Sequence, residues 1–141
     1  MSTRVTLSLL AVVALACTSA EPVPRSPHWN KDGCAHCRMA ISEPAAAAQL
    51  VGSGGLIRHY DDLGCLLANR VAHPELADAK VFVMAPGSTD TWIPAEQAHF
   101  RDGAKTPMGF GILPDADGKL SFAEVEQRLK THGGGSGHAG H

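Results

Sequence analysis

Ala45-Ala46-Ala47-Ala48-Gln49-Leu50-Val51, then Gly52-Ser53-Gly54-Gly55, then Leu56-Ile57-Arg58-His59-Tyr60, sets two short apolar runs around a glycine-rich turn. Runs of that length, divided by residues that tolerate a tight backbone reversal, predict a β-hairpin. Directly after it, Asp61 and Asp62 offer an N-cap and a first-turn acid, and Leu63, Leu66, Leu67 and Val71 keep helical spacing. The helix should stop before Pro74, because the residue preceding a proline resists helical geometry. Lys80-Val81-Phe82-Val83-Met84 then reads as a buried strand closed by Pro86-Gly87. The order expected for this unit is β-β-α-β.

The second half repeats the theme loosely. Thr91-Trp92-Ile93 predicts a short strand, 94–100 a short helix or turn, and 106–113 a glycine-interrupted strand ended by Pro114. The turn Asp115-Ala116-Asp117-Gly118 leads into an amphipathic helix over 120–130, with Phe122, Val125 and Leu129 on one face and Ser121 as its cap. The fold class expected is α+β: two loosely repeated ββα(β) units in one small domain. A net charge of -2 with no basic cluster leaves no electrostatic footprint for nucleic acid.

Both ends read differently from this body. Residues 1–16 have the form of an export signal: Arg4 supplies the positive end, and 5–15 is apolar apart from Thr6 and Ser8. That run is shorter than the ~20 residues a membrane span needs. Ala14-Leu15-Ala16-Cys17 resembles the lipobox of bacterial lipoproteins, in which the cysteine is lipidated; Ala14 stands where Leu is usual. An ordinary secretion signal is the other reading. Thr18 after the cysteine points, by resemblance to lipoprotein sorting signals, to the outer membrane, on its periplasmic face. Residues 17–31, with Pro22, Pro24 and Pro27, are expected as a flexible tether, 32–132 as the folded domain, and 133–141 as a low-complexity glycine and histidine tail.

Cys34-Ala35-His36-Cys37-Arg38-Met39 carries the chemistry. Two thiols and a thioether within six residues are soft donors, which select Cu(I) over harder divalent ions. Cys37 and Met39 lie two apart, on one side of an extended segment. Met108, between Pro107 and Gly109, is poorly placed to build a core layer, although packing is what most methionines do. Cys65 leaves an odd thiol beside Cys34 and Cys37; it reads more readily as a small apolar helix residue, with a Cys34–Cys37 disulfide as the plain alternative to a metal.

Other chemistries fit less well. Covalent haem needs His after the second cysteine, and Arg38 stands there. A structural zinc site needs four ligands, and His59, His73 and His99 are scattered singly. Asp61-Asp62 reads as capping rather than as an acid–base pair. The stretch 115–124 matches late positions of a calcium loop, but Leu113 occupies the first position and has no side-chain oxygen. A periplasmic thiol-disulfide oxidoreductase using Cys34-x-x-Cys37 is the main competitor. Ala35-His36 and Thr106-Pro107 resemble features of that class, but no buried strand precedes Cys34 and Pro44 interrupts any following helix.

Taken with Tyr60-Asp61-Asp62-x-Gly64-Cys65, Trp92-Ile93-x-Ala95-x-x-Ala98 and Thr106-Pro107-Met108-Gly109-x-Gly111, the cysteine motif resembles the NosL family. Those lipoproteins act as copper chaperones for nitrous oxide reductase assembly. The resemblance implies a pair of β-β-α-β units akin to the organomercurial lyase core, no enzymatic turnover, and Cu(I) as cargo. It implies partners in copper-enzyme maturation, nitrous oxide reductase or its membrane transporter, and membrane attachment through Cys17. It points to Cys37 and Met108 as ligands first, Cys34 and Met39 next, and His36 as an outside donor. Two departures stand out: Arg38 replaces the usual glycine, and the tail replaces a final strand.

Overall fold

A computed structural model describes residues 21–132. The expected export signal, the expected lipidation at Cys17, and the tail with His138 and His141 lie outside the described residues. The hairpin forms as expected: β1 (Ala48–Val51) and β2 (Ile57–Tyr60) pair antiparallel, with Ala48 opposite Tyr60 and Val51 opposite Ile57. The turn between them uses Gly54 at φ 66° and Gly55 at φ 79°, a region where a side chain is strained. The alanines before Ala48 form a 3-10 turn (Pro44–Ala46) instead of extending the strand, since Pro44 starts it.

Helix α1 (Leu63–Ala72) follows with Asp62 as its N-cap, the Asp62 carboxylate accepting from the Gly64 N–H at 3.1 Å. It ends at Ala72, ahead of Pro74. Its buried stripe runs through Leu63, Leu66 and Leu67 but not Val71, which is 67% exposed, a correction to the expected face. The stripe stops a turn early because Arg70 takes the next lateral position, bridging to Glu126 at 3.2 Å and to the Ala77 carbonyl at 2.7 Å.

Strand β3 (Lys80–Met84) returns beside β1, and β4 (Trp92–Pro94) pairs with β3, giving an antiparallel sheet in the order β2-β1-β3-β4. Ala48, Leu50, Tyr60, Val81 and Val83 belong to the hydrophobic core with Leu63 and Leu66 of α1. The opposite face carries Gln49 and Phe82, which are also buried. The stretch expected as a tether runs along this region: the Arg25 N–H donates to Gln49, His59 donates to the Arg25 carbonyl at 2.7 Å, and Trp92 donates to Ser26. Glu21 also comes within 3.9 Å of Lys80 at the start of β3, so the stretch meets the sheet at several points.

The second half holds a two-residue pair, β5 (Phe100–Arg101) with β6 (Leu113–Pro114), and helix α2 (Phe122–His132). A reciprocal capping box starts α2: the Glu124 carboxylate accepts from the Ser121 N–H at 2.8 Å, and Ser121 Oγ accepts from the Glu124 N–H. The calcium-loop stretch is a plain turn: Gly118 N–H donates to the Asp115 carbonyl, and the Asp115 carboxylate is occupied by Arg101 at 2.9 Å. Of the strand expected over 106–113 only Leu113 pairs, in β6; residues 106–112 form no strand. Gly109 at φ 74° and Gly111 at φ 76° turn the chain, and the Gly109 N–H closes back onto the Thr106 carbonyl. The result is α+β, with β4 joined to the first sheet and the second unit reduced to β5, β6 and α2.

Candidate metal centre

Cys34 opens a tight reversal just before the sheet. Its N–H donates to the Met39 carbonyl at 2.8 Å, and the Arg38 N–H donates back to the Cys34 carbonyl at 3.0 Å. Gly33 and Ala40 then bridge antiparallel, and the Ala35 N–H donates to His59 of β2, which fixes the loop to the sheet edge. Closing so short a loop forces Arg38 to φ 69°, where a Cβ crowds the backbone. Arg38→Gly is expected to raise stability by about 1 kcal/mol in urea unfolding. A lower midpoint would show that the arginine side chain matters more than the backbone strain.

This loop delivers Cys34 and Cys37 to the start of α1. Cys34, Cys37, Asp61 and Cys65 each offer a ligand atom, and those atoms all lie within 4.8 Å of one another. Cys34, Asp61 and Cys65 are buried, and Cys37 is half-buried. The Cys37 thiol donates to the Asp61 carboxylate at 3.3 Å and 3.5 Å. The ion pairs found among the described residues include neither Asp61 nor Asp62. The cluster can hold a metal ion.

The thiols are electrostatically unequal. Cys65 donates a hydrogen bond to the Cys34 sulfur, and this draws the Cys34 thiol down to about 6 against the opposing effect of burial. Holding that proton pushes Cys65 strongly up, and burial pushes Cys37 up to about 11. In the metal-free protein near neutrality, the Cys34 thiolate is thus held by the Cys65 thiol, while the Cys37 thiol is turned to Asp61. A depressed thiol contributes stability above its ordinary range and loses it as pH falls through the folded value. The ultraviolet absorbance of the metal-free protein should accordingly show one thiolate titrating near pH 6, abolished in Cys34→Ser. Three thiols titrating together above pH 8 would contradict this arrangement.

The other expected ligands are exposed, and the cluster does not include them. Met39 is 53% exposed and Met108 40% exposed. The Met108 N–H donates to Asp62 at 3.2 Å, and the Phe110 ring covers Gly64 so closely that a Cβ there would sit 2.0 Å from the ring. The segment 106–111 therefore lies over the start of α1, beside the residues that carry Asp61 and Cys65. His36 is exposed.

Asp61 and Cys65 were missing from the ligands expected from sequence. Cys65 is buried in the helix as expected, but its sulfur is part of the cluster rather than plain packing. Their placement on either side of the α1 N-cap, four residues apart, is the signal that could find them. Of the two aspartates only Asp62 caps; Asp61 turns its carboxylate to Cys37.

No membrane-crossing helix, long and apolar enough to span, occurs among the described residues. No family model matches the chain, and no curated protein matches it either.

Proposed function

We propose that this protein is a lipid-anchored periplasmic carrier that binds Cu(I) through sulfur and passes it to a copper enzyme during assembly. Convergence of three cysteine sulfurs within 4.8 Å of one another is the observation that carries the reading. Thiolates favour a soft monovalent ion, and Cu(I) accepts a low coordination number, so a few sulfurs suffice. Cys34 already holds charge to offer, while Cys37 and Cys65 release protons on loading, which makes affinity rise with pH. Met108 and Met39, both exposed, stand as the outer sulfurs through which the ion enters and leaves by stepwise exchange. The four-motif resemblance to the NosL family supports nitrous oxide reductase as the recipient and Cys17 as the anchor to the outer membrane.

A zinc reading draws on Asp61, which would complete a four-ligand set with the three cysteines. Disulfide exchange fits worse: the low-pKa sulfur belongs to Cys34, which is 1% exposed, so an incoming disulfide has no approach to it. Titration of the reduced protein with Cu(I) and with Zn(II), each against a competing chelator, separates the first two readings. One tightly held Cu(I) per chain, weakened in Cys37→Ser and Met108→Leu and retained in excess Zn(II), is the expected result. Preferential zinc binding would overturn carriage, and turnover in an insulin-reduction assay would replace it with exchange.

A further inference from the structure

Asp62 makes contacts in two directions. One carboxylate oxygen accepts from the Gly64 N–H and starts α1. Its other oxygen accepts from the Met108 N–H across 46 residues of chain. The Thr106 side chain also hydrogen-bonds Asp62, and Thr106 Oγ1 accepts from the Gly111 N–H at 3.0 Å. Both ends of the 106–111 strap are thereby tied to one fully buried carboxylate. Phe110 completes the seat against Gly64, a position that tolerates the ring only because it lacks a Cβ. A helix needs nothing this elaborate for its cap, since one acceptor facing the first turn is enough.

We infer that Asp62 is a positioning residue for metal transfer, holding the Met108 strap over the cysteine cluster so that the thioether meets an ion bound by the thiols. The inference rests on the carrier reading above, with Met108 as a ligand. Asp62 touches no metal; it acts through the backbone of the residue that does. Its neighbour Asp61 contacts Cys37, so the strap and the cluster are anchored on consecutive residues. Left-handed glycines at 109 and 111 within the strap, and at 103 just before it, let it lift as a unit once the carboxylate lets go. Helix α1 remains capped by either Asp or Asn at this position.

Asp62→Asn is the variant to use. It keeps the shape and an acceptor for Gly64 but places an NH2 group opposite the Met108 N–H, donor against donor. Label the methionine methyl groups with carbon-13 and load the full chain with Cu(I), following methyl shifts by NMR and thiolate binding by ultraviolet charge transfer. In the parent, Met108 should shift on loading. In Asp62→Asn the charge-transfer band should persist, the Met108 shift should be lost, and Cu(I) affinity should fall about tenfold or more. The loss should vanish in a Met108→Leu background, because both changes remove one contact. An undiminished Met108 shift in Asp62→Asn overturns the positioning role and leaves the carrier reading standing. A parent protein whose Met108 never shifts removes the ligand itself, and the inference with it. Should Asp62→Asn unfold, Gly64→Ala displaces the strap from the other side and is read by the same two signals.

Discussion

Cys65→Ser should weaken Cu(I) binding by more than about 100-fold, a loss as large as that from Cys34→Ser. Outer-shell changes around metal sites commonly cost about 10–100-fold, and removal of a ligand should exceed them. Serine preserves size but replaces a soft sulfur with a hard oxygen that Cu(I) holds poorly. Cys65 also donates to the Cys34 sulfur, so its replacement disturbs the charge on the neighbouring ligand as well. Competition against a Cu(I) chelator measures the affinity directly. Thermal unfolding supplies an independent reading: ligand at about 100 times Kd stabilises by about 2.7 kcal/mol, and that increment should vanish in the variant. Cys65→Ala serves as the companion, because it keeps a small apolar side chain within α1. Equal loss of copper in both variants with a preserved fold assigns the sulfur to binding. Affinity unchanged within a few-fold would reduce Cys65 to packing and leave the loop cysteines alone with the ion.

The elements that could be read in advance are those whose pattern answers to one neighbour. The hairpin follows from apolar runs and a glycine turn, α1 from Asp62 and its leucines, and β3 from an unbroken apolar run; each lies where expected. The stretch 106–113 misleads because its glycines read as interruptions of a strand, whereas the backbone turns at Gly109 and Gly111 and answers to Asp62. No local pattern encodes that bond, which spans 46 residues. Cys65 hides for the opposite reason: a cysteine among leucines looks like filler, and only the arrival of the Cys34 loop gives its sulfur a second role. Val71 shows the limit of periodicity, since helical spacing places it on the apolar face, yet it stays exposed while Arg70 beside it makes the contacts at the helix end. The proximity of Cys34 and Cys37 is legible outright, whereas the adjacent aspartates look alike in sequence and only the fold divides them, Asp62 to the cap and Asp61 to Cys37.

Gly118→Ala should destabilise the protein by about 3 kcal/mol, near the upper end of what overpacking costs. Gly118 follows the Asp115 turn, and a Cβ built there would lie 2.6 Å from the N, C and O atoms of Phe100. These are backbone atoms, with no flexible side chain to swing aside. Phe100 cannot retreat cheaply either: its N–H donates to the Leu120 carbonyl at 2.9 Å, the Leu120 N–H donates back at 3.0 Å, and its ring is buried near Phe122. Relieving the clash therefore opens both bonds and shifts the start of α2. Gly54→Ala is the comparison that isolates the cause. Gly54 sits at φ 66° with nothing within 4 Å of an added Cβ, so only backbone strain applies and the cost should stay near 1–2 kcal/mol. Urea unfolding of the two variants decides between close approach and conformation. Copper stoichiometry under folding conditions should be the same for both, because Gly118 packs on the β5 side while the sulfurs gather at the start of α1. A Gly118→Ala protein as stable as the parent would mean that β5 and α2 are not locked through Phe100 at all.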